Sequence, residues 1–209
     1  MQYAPPPYRY EPYVAPGPMP LTIASLDATG HHPQIRTFYL LTAVLSALLY
    51  AFGMALVVAA IVSDPSHPDV ALILFGELTT LFGALLIYVK LGLALYWLNG
   101  AWKWVPAEQR AGRDGKRYTP SDVFMLLIPY YNLYYQFPIN LALCDAMERL
   151  RQTTLGNTQP PKRDVAMWAG ICEIIPFANF FVAPFLWASY MKSVDVLHDD
   201  IATALARRA

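Results

Sequence analysis

Three ionisable residues, Glu77, Lys90 and Glu173, lie inside long apolar stretches of this 209-residue chain. A charge in an apolar segment is costly to bury, so such residues commonly have either a function or a bonding partner. Glu77 and Lys90 are 13 residues apart, which puts them on nearly opposite faces of one helix and about 20 Å apart along its axis. They therefore cannot pair within that helix. For each acid we expect a structural role, with a transport role as the alternative.

The apolar sequence also contains two proline-centred interruptions that resemble each other. Residues 126–141 read LLIPYYNLYYQFPINL, and residues 174–186 read IIPFANFFVAPFL. A shift of 47 residues aligns their I-P-x-x-N centres, which indicates an internal repeat. Because proline removes a backbone donor and clashes with the preceding turn, we predict helix breaks at Pro129 and Pro176.

Backbone groups freed by a helix break in lipid need polar partners. We expect Asn132 and Asn179 to supply them, and Glu173 either to bond such groups or to meet Lys90. Repeated broken helices with polar residues at the break are also typical of transporter sites. The candidate polar membrane site comprises Asn132, Gln136, Asn140, Asn179, Glu77, Glu173 and Lys90.

Four apolar segments carry these residues and predict an all-α, helical integral membrane protein. The first, 38–62, runs for 25 residues without a charge, which is long enough to cross a hydrocarbon core of about 30 Å. The short loop 63–69 predicts that the second segment, 70–105, forms a helical hairpin with the first. The third and fourth segments cover about 123–144 and 165–191, within a membrane domain that extends over residues 38–209.

Small residues predict close packing between the first two helices. Alanine recurs at every fourth position of the first segment, and Gly76 opens a similar series in the second. Such spacing lets helices approach closely in lipid. The predicted packing residues are Ala43, Ala47, Ala51, Ala55, Ala59 and Gly76. Farther along the second segment, aromatic side chains are expected at the level of the lipid headgroups, namely Tyr96, Trp97, Trp102 and Trp104.

The placement of Lys and Arg predicts the orientation and leaves two topologies open. The 63–69 loop has no Lys or Arg, whereas 106–122 has four, so the latter and the N-terminus are expected in the cytoplasm. The third and fourth segments are then either two kinked spans or two hairpins that re-enter from the cytoplasm. Hairpins keep the basic linker 148–164 in the cytoplasm, and charge placement therefore favours them.

The first 37 residues predict a disordered cytoplasmic tail. Seven prolines and four tyrosines occur among the first twenty residues, a composition that cannot build a core. Pro5, Pro6, Pro7 and Tyr8 match the P-P-x-Y ligand of WW domains and could bind a protein partner. A flexible tail with no ligand role is the alternative.

Composition excludes several classes of protein. The chain is 56% apolar and 14% charged, and its basic and acidic residues are equal in number, so we predict no nucleic-acid partner. Cys144 and Cys172 are expected to be buried thiols. No histidine lies within an apolar segment, and neither G-x-S-x-G nor a nucleotide-binding glycine loop occurs. We therefore predict no enzyme, no metal and no cofactor.

Residues 101–137 resemble a pattern found in a family of uncharacterised bacterial multi-pass membrane proteins. That pattern is W-x-x-x-P, a short basic stretch, T-P, and then I-P-x-x-N-x-Y-W. The matching residues are Trp102, Pro106, Thr119, Pro120, Ile128, Pro129, Asn132 and Tyr134. Tyr135 stands where tryptophan is usual. The resemblance implies a bacterial inner-membrane protein and supplies no activity.

Two functions follow from these expectations. The first is an accessory or scaffold protein in the lipid bilayer, with a protein partner or a second copy of the chain. The second is a small oligomeric channel or transporter, with a polar site at the two breaks.

Overall fold

The computed structural model describes residues 33–112, 115–156 and 158–208, and every regular element in these ranges is a helix. The tail predicted for 1–37 lies mostly outside them, but α1 begins at Gln34, so residues 34–37 form its first turn. Two short 3-10 helices, Ala107–Gln109 and Pro120–Leu127, precede α3. The α-helices are α1 (Gln34–Ser63), α2 (Val70–Trp104), α3 (Pro129–Thr154), α4 (Arg163–Ile174), α5 (Pro176–Phe181) and α6 (Ala183–Ala206).

Helices α1 and α2 are both long and apolar enough to cross a membrane. Their most apolar windows have mean hydropathies of 2.4 and 2.2, and only 22% and 11% of those windows are buried. The two helices form a hairpin. The side chain of Asp69 caps the start of α2 by accepting a hydrogen bond from the Leu72 amide at 3.1 Å.

Glycines bring α1 and α2 into backbone contact. A Cβ atom added at Gly53 would lie 2.6 Å from the Gly76 carbonyl oxygen, and one at Gly83 would lie 2.7 Å from the Tyr50 nitrogen. The Ser46 hydroxyl donates to the Gly83 carbonyl across the same contact at 2.7 Å. Because these residues are small, the backbones of the two helices contact each other directly.

The residues at the contact between α1 and α2 recur every seven positions. The prediction that alanines at every fourth position pack at this contact is wrong for three of the five. Ala51, Ala55 and Ala59 are exposed, whereas Ala43 and Ala47 are buried. A four-residue step turns about 40° around a helix each time, so the series leaves the contact face. A seven-residue step stays nearly in line. The buried positions with that spacing are Tyr39, Ser46, Gly53 and Ala60 on α1, and Gly76, Gly83, Lys90, Trp97 and Trp104 on α2.

The third and fourth apolar segments both reverse direction at their breaks. Tyr118, before the first break, lies beside Tyr135 beyond it, with ring centroids 6.1 Å apart. At the second, the Lys162 amine donates to the Ser189 hydroxyl of α6 at 3.3 Å, and the Lys162 amide donates to the Ser193 hydroxyl at 3.3 Å. Residues on either side of each break are therefore neighbours, and each segment is a helical hairpin.

An aromatic core joins the hairpins to the far end of α2. Trp97, Trp102 and Trp104 are at most 3% exposed, so these three side chains belong to the protein core, whatever their level in a membrane. The Trp102 ring stacks on Tyr118 at 5.6 Å, and the Trp97 ring meets Tyr190 edge-on at 5.6 Å. Only Tyr96, at 57% exposed, lies at the surface among the four predicted aromatics.

Charged pairs cover the end of the molecule that holds this core. Arg151 donates two hydrogen bonds of 2.7 Å to Glu148, and Arg163 lies 3.3 Å from Asp145. The Arg151 guanidinium lowers the pKa of the Glu148 carboxyl, which favours its charged form. Charged, partly exposed side chains thus lie at this end of the molecule.

Candidate functional site at the two hairpin tips

The two predicted breaks have the same backbone geometry. Ile128 is extended, with φ −84° and ψ 114°, and Ile175 is extended, with φ −89° and ψ 116°. A residue before proline avoids the helical region, and proline is well suited to the first position of a helix. The prolines that follow therefore begin α3 and α5 rather than interrupt a continuous helix.

Backbone amides of the asparagines, not their side chains, bond the carbonyls at the breaks. The Asn132 amide donates to the Ile128 carbonyl, and the Asn179 amide donates to the Ile175 carbonyl, each at 2.8 Å. These are the first hydrogen bonds of the helices that begin there. The prediction that the asparagine side chains would satisfy freed backbone groups is thus wrong, and the Asn179 side chain has another partner.

Apolar side chains cover both tips. Tyr130 is 90% exposed and Phe177 is 82% exposed, and each directly follows the proline of its break. The exposed apolar residues continue from the tips onto the outer faces of α4 and α6. They are Phe124, Met125, Leu127, Ile128, Tyr131, Leu133, Tyr134, Met167, Trp168, Ile174, Ile175, Phe181, Val182 and Phe185.

A buried lysine holds the second tip against α2. Lys90 is 7% exposed, and its amine donates to the Asn179 Oδ1 atom at 3.0 Å. Glu173 lies in the last turn of α4, but its carboxylate is not within 4.0 Å of the Lys90 amine. The tip also contacts α1, where the Tyr50 and Phe180 rings stack at 4.9 Å. Lys90 therefore bonds Asn179, and the predicted meeting of Glu173 with Lys90 is not seen as an ion pair.

The other predicted polar residues lie apart from this lysine. The Gln136 side-chain amide donates to the Gly170 backbone carbonyl of α4 at 3.3 Å, and the Asn140 side-chain amide donates to the Gln136 backbone carbonyl at 2.7 Å. Both side chains are buried where α3 packs against α4 and α6. There the Tyr190 hydroxyl donates to the backbone carbonyl of Asn140 at 3.3 Å. Glu77 is exposed on the surface of α2. The seven candidates therefore form no single polar site.

Sequence reasoning missed several residues that hold the tips and the helices in place. Gly53 and Gly83 make the backbone contacts of the first hairpin, and Asp195 accepts a hydrogen bond from the Trp97 indole at 3.0 Å. The series Gly76, Gly83, Lys90 was available as a signal, because its seven-residue spacing puts the lysine on the helix-contact face. No comparable local pattern identifies Asp195.

The two repeat asparagines provide a matched test of the lysine contact. Replacing Asn179 with leucine is expected to lower the free energy of unfolding by about 2 kcal/mol, because the buried Lys90 amine loses its acceptor. Asn132→Leu is expected to cost less, since the backbone makes the hydrogen bond at that break. Denaturant unfolding in detergent micelles, followed by circular dichroism, measures both values. Equal losses in the two variants would contradict a specific role for Asn179.

The described part of the chain is thus all-helical, and two of its helices are long and apolar enough to cross a membrane. Comparison with protein-family models, with curated proteins and with solved structures gives no match.

Proposed function

We propose that this protein is a non-enzymatic scaffold of the bacterial inner membrane, anchored by α1 and α2, with its aromatic core and N-terminus on the cytoplasmic side. The observation that carries the proposal is the division of its surface. Exposed apolar side chains cover α1, α2 and both hairpin tips, whereas charged pairs cover the opposite end. A protein at a boundary between lipid and water is expected to have such a divided surface, because large exposed apolar patches are unfavourable in water.

Basic residues support the proposed orientation. None of the fifteen Lys and Arg residues lies between Thr37 and Val89, a range that includes nearly all of α1 and the loop to α2. Lys90 follows, bonded to Asn179. The remaining Lys and Arg residues precede Thr37 or follow Lys90 in the sequence, and we assign these parts of the chain to the cytoplasm.

The tip contacts support re-entry from the cytoplasm over full crossing. Tyr50 is thirteen residues before the end of α1 at Ser63, which corresponds to about 20 Å. Phe180 stacks on Tyr50. With a hydrocarbon core of about 30 Å, the second tip reaches about 10 Å below its cytoplasmic boundary. In this orientation the second hairpin thus lies within the cytoplasmic leaflet.

A scaffold accounts for the polar residues better than the alternative, a small oligomeric channel or transporter. A channel needs its polar groups on one path. Here the Gln136 side chain bonds α4, the Asn140 side chain bonds its own helix, Asn179 bonds Lys90, and Glu77 is exposed on α2. The proposed partners are the bilayer, a second copy of the chain, or a cytoplasmic protein that binds the P-P-x-Y stretch at 5–8, which lies outside the described residues.

Cysteine accessibility tests the topology that the scaffold requires. In a Cys144→Ala/Cys172→Ala background, we expect Ser66→Cys to react with an impermeant maleimide added from outside. Gln152→Cys, beyond the first hairpin, is expected to react only after the membrane is opened. Both positions are exposed. Gln152 is preferable to Gly156, whose φ of 68° disfavours a side chain.

Reaction of Gln152→Cys from outside in intact cells would show that the third segment crosses the membrane. Solute flux then separates the two functions. Proteoliposomes are expected to show no flux above protein-free vesicles. A flux that Asn132→Leu or Asn179→Leu abolishes in a folded variant would support the channel instead.

A further inference from the structure

We propose that a cleft between the loop that precedes α4, at residues 159–162, and the middle of α6 binds the phosphate headgroup of an anionic phospholipid in the cytoplasmic leaflet. This inference rests on the membrane function proposed above and adds a specific lipid to it. The cleft has a volume of about 280 Å³. Its lining residues are Gln159, Pro160, Lys162, Ser189, Lys192, Ser193, Val196, Leu197 and Asp200.

The donors in this cleft suit a phosphate. The Lys162 amine lies 3.3 Å from the Ser189 hydroxyl, so one ammonium and one hydroxyl already point to the same space. Lys192, one turn farther along α6, brings a second ammonium. Across the described part of the chain, neither lysine lies within 4.0 Å of a carboxylate. A phosphate oxyanion accepts hydrogen bonds from ammonium and hydroxyl groups and offsets the positive charge.

The neighbouring cleft shows why the site is assigned to this side of α4. That cleft has a volume of about 550 Å³ and shares Lys162 with the first; Arg163 also lines it, but so do three carboxylates, Asp145, Glu148 and Asp164. Its acidic groups outnumber its basic ones, which disfavours a phosphate. The cleft beside α6 has one carboxylate, Asp200, two turns from Lys192 and on the side farther from the hairpin tip.

The position of the cleft matches the headgroup layer. Lys90 lies twenty residues into α2, or about 30 Å, which puts it near the cytoplasmic boundary of the hydrocarbon. Trp97 is seven residues, or about 10 Å, farther on. It contacts Tyr190 and Asp195, which flank Lys192 and Ser193 in the sequence. The headgroup layer is about 5 to 8 Å thick. The cleft therefore lies slightly beyond this layer, and a lysine side chain is long enough to reach from the cleft to the phosphates.

Apolar side chains below the cleft suit the acyl chains of the same lipid. Phe185 is 58% exposed and lies one turn deeper than Ser189 on α6. Trp168 is 54% exposed and lies six residues deeper than Lys162 on the α4 side. Tryptophan favours the boundary between headgroups and hydrocarbon. Basic and hydroxyl groups above an apolar wall thus match a phospholipid better than a free anion.

Lipid titration of the purified protein in zwitterionic micelles tests the site. The rise in unfolding temperature with phosphatidylglycerol or phosphatidylcholine gives the apparent affinity for each lipid. We expect phosphatidylglycerol to bind the wild-type protein more tightly. Lys162→Ala/Lys192→Ala should weaken phosphatidylglycerol binding about 25-fold, or about fivefold for each lysine, and leave phosphatidylcholine binding unchanged.

Two further variants keep this test specific. Lys103→Ala/Arg207→Ala removes the same charge from exposed residues outside the cleft and should preserve the preference for phosphatidylglycerol. Lys162→Arg/Lys192→Arg should preserve it as well. An equal loss in the Lys103→Ala/Arg207→Ala variant would overturn the assignment to this cleft. Equal binding of both lipids by the wild-type protein would also overturn it.

Two controls separate the remaining outcomes. Inorganic phosphate is titrated alone, and an affinity equal to that of phosphatidylglycerol would identify a site for free phosphate and overturn the lipid assignment. Alkaline extraction of cell membranes reports insertion independently of lipid type. If the wild-type protein resists extraction but shows no lipid preference, the headgroup site is refuted and the membrane scaffold is not. If the wild-type protein is extracted, both proposals are refuted.

Discussion

Asp195→Ala is expected to lower the free energy of unfolding by about 4 kcal/mol. Asp195 is 4% exposed, and it accepts a hydrogen bond from the Trp97 indole at 3.0 Å. Its other oxygen lies 3.6 Å from an Arg36 guanidinium nitrogen. Removal of this carboxylate leaves a buried indole N–H and the Arg36 side chain, which is 28% exposed, without their shared acceptor, and loss of a buried charged acceptor is among the most costly kinds of substitution. Thermal unfolding followed by near-ultraviolet circular dichroism reports on the aromatic core directly.

Two companion variants show which part of the Asp195 interaction matters. Asp195→Asn keeps an acceptor for Trp97 but loses the charge that faces Arg36, so an intermediate loss is expected. Asp200→Ala removes an exposed carboxylate from the same helix and should change stability little. The proposed role of Asp195 would be wrong if Asp195→Ala and Asp200→Ala had equal effects.

Gly53→Ala is expected to destabilise the α1–α2 hairpin by about 3 kcal/mol. The added Cβ atom would lie 2.6 Å from both the Gly76 carbonyl oxygen and the Thr80 amide nitrogen, and it would also contact the Thr80 side chain. Backbone atoms cannot turn aside as a flexible side chain can, so the helices must separate. Chemical denaturation in micelles measures the loss.

Gly92→Ala is the matched control for this substitution. Gly92 also lies in α2, but a Cβ atom there meets nothing within 4 Å. The higher helix propensity of alanine should therefore stabilise this variant by up to about 1 kcal/mol. Equal destabilisation by both substitutions would contradict a specific role for the helix contact at Gly53.

The sequence predicts the two long helices well, because each needs only a continuous apolar run and the intervening loop begins and ends with aspartate and contains two prolines. The prediction for 70–105 ends one residue from the observed end of α2 at Trp104. The role of the later tryptophans is harder to predict. Trp97 and Trp104 have the composition of an interfacial belt, and only their burial against α6 identifies them as core residues.

The sequence predicts where the hairpin tips lie, but it does not predict how the helices break there or which contacts hold the tips in place. Proline at 129 and 176 marks each break, yet the same residue type can kink a helix or begin one, and local sequence does not separate these cases. The Lys90–Asn179 contact joins residues 89 positions apart. It depends on how α5 packs against α1, so no spacing rule within one segment could predict it.

The re-entrant tips also have a consequence for the shape of the bilayer. In the proposed orientation, two helices pass through the outer leaflet, whereas the cytoplasmic leaflet accommodates those helices and both hairpins. The cross-section of the protein is therefore larger on the cytoplasmic side, and lipids there are displaced sideways. A wedge of this form favours membrane that bulges towards the cytoplasm, so many copies together would both seek such curvature and produce it.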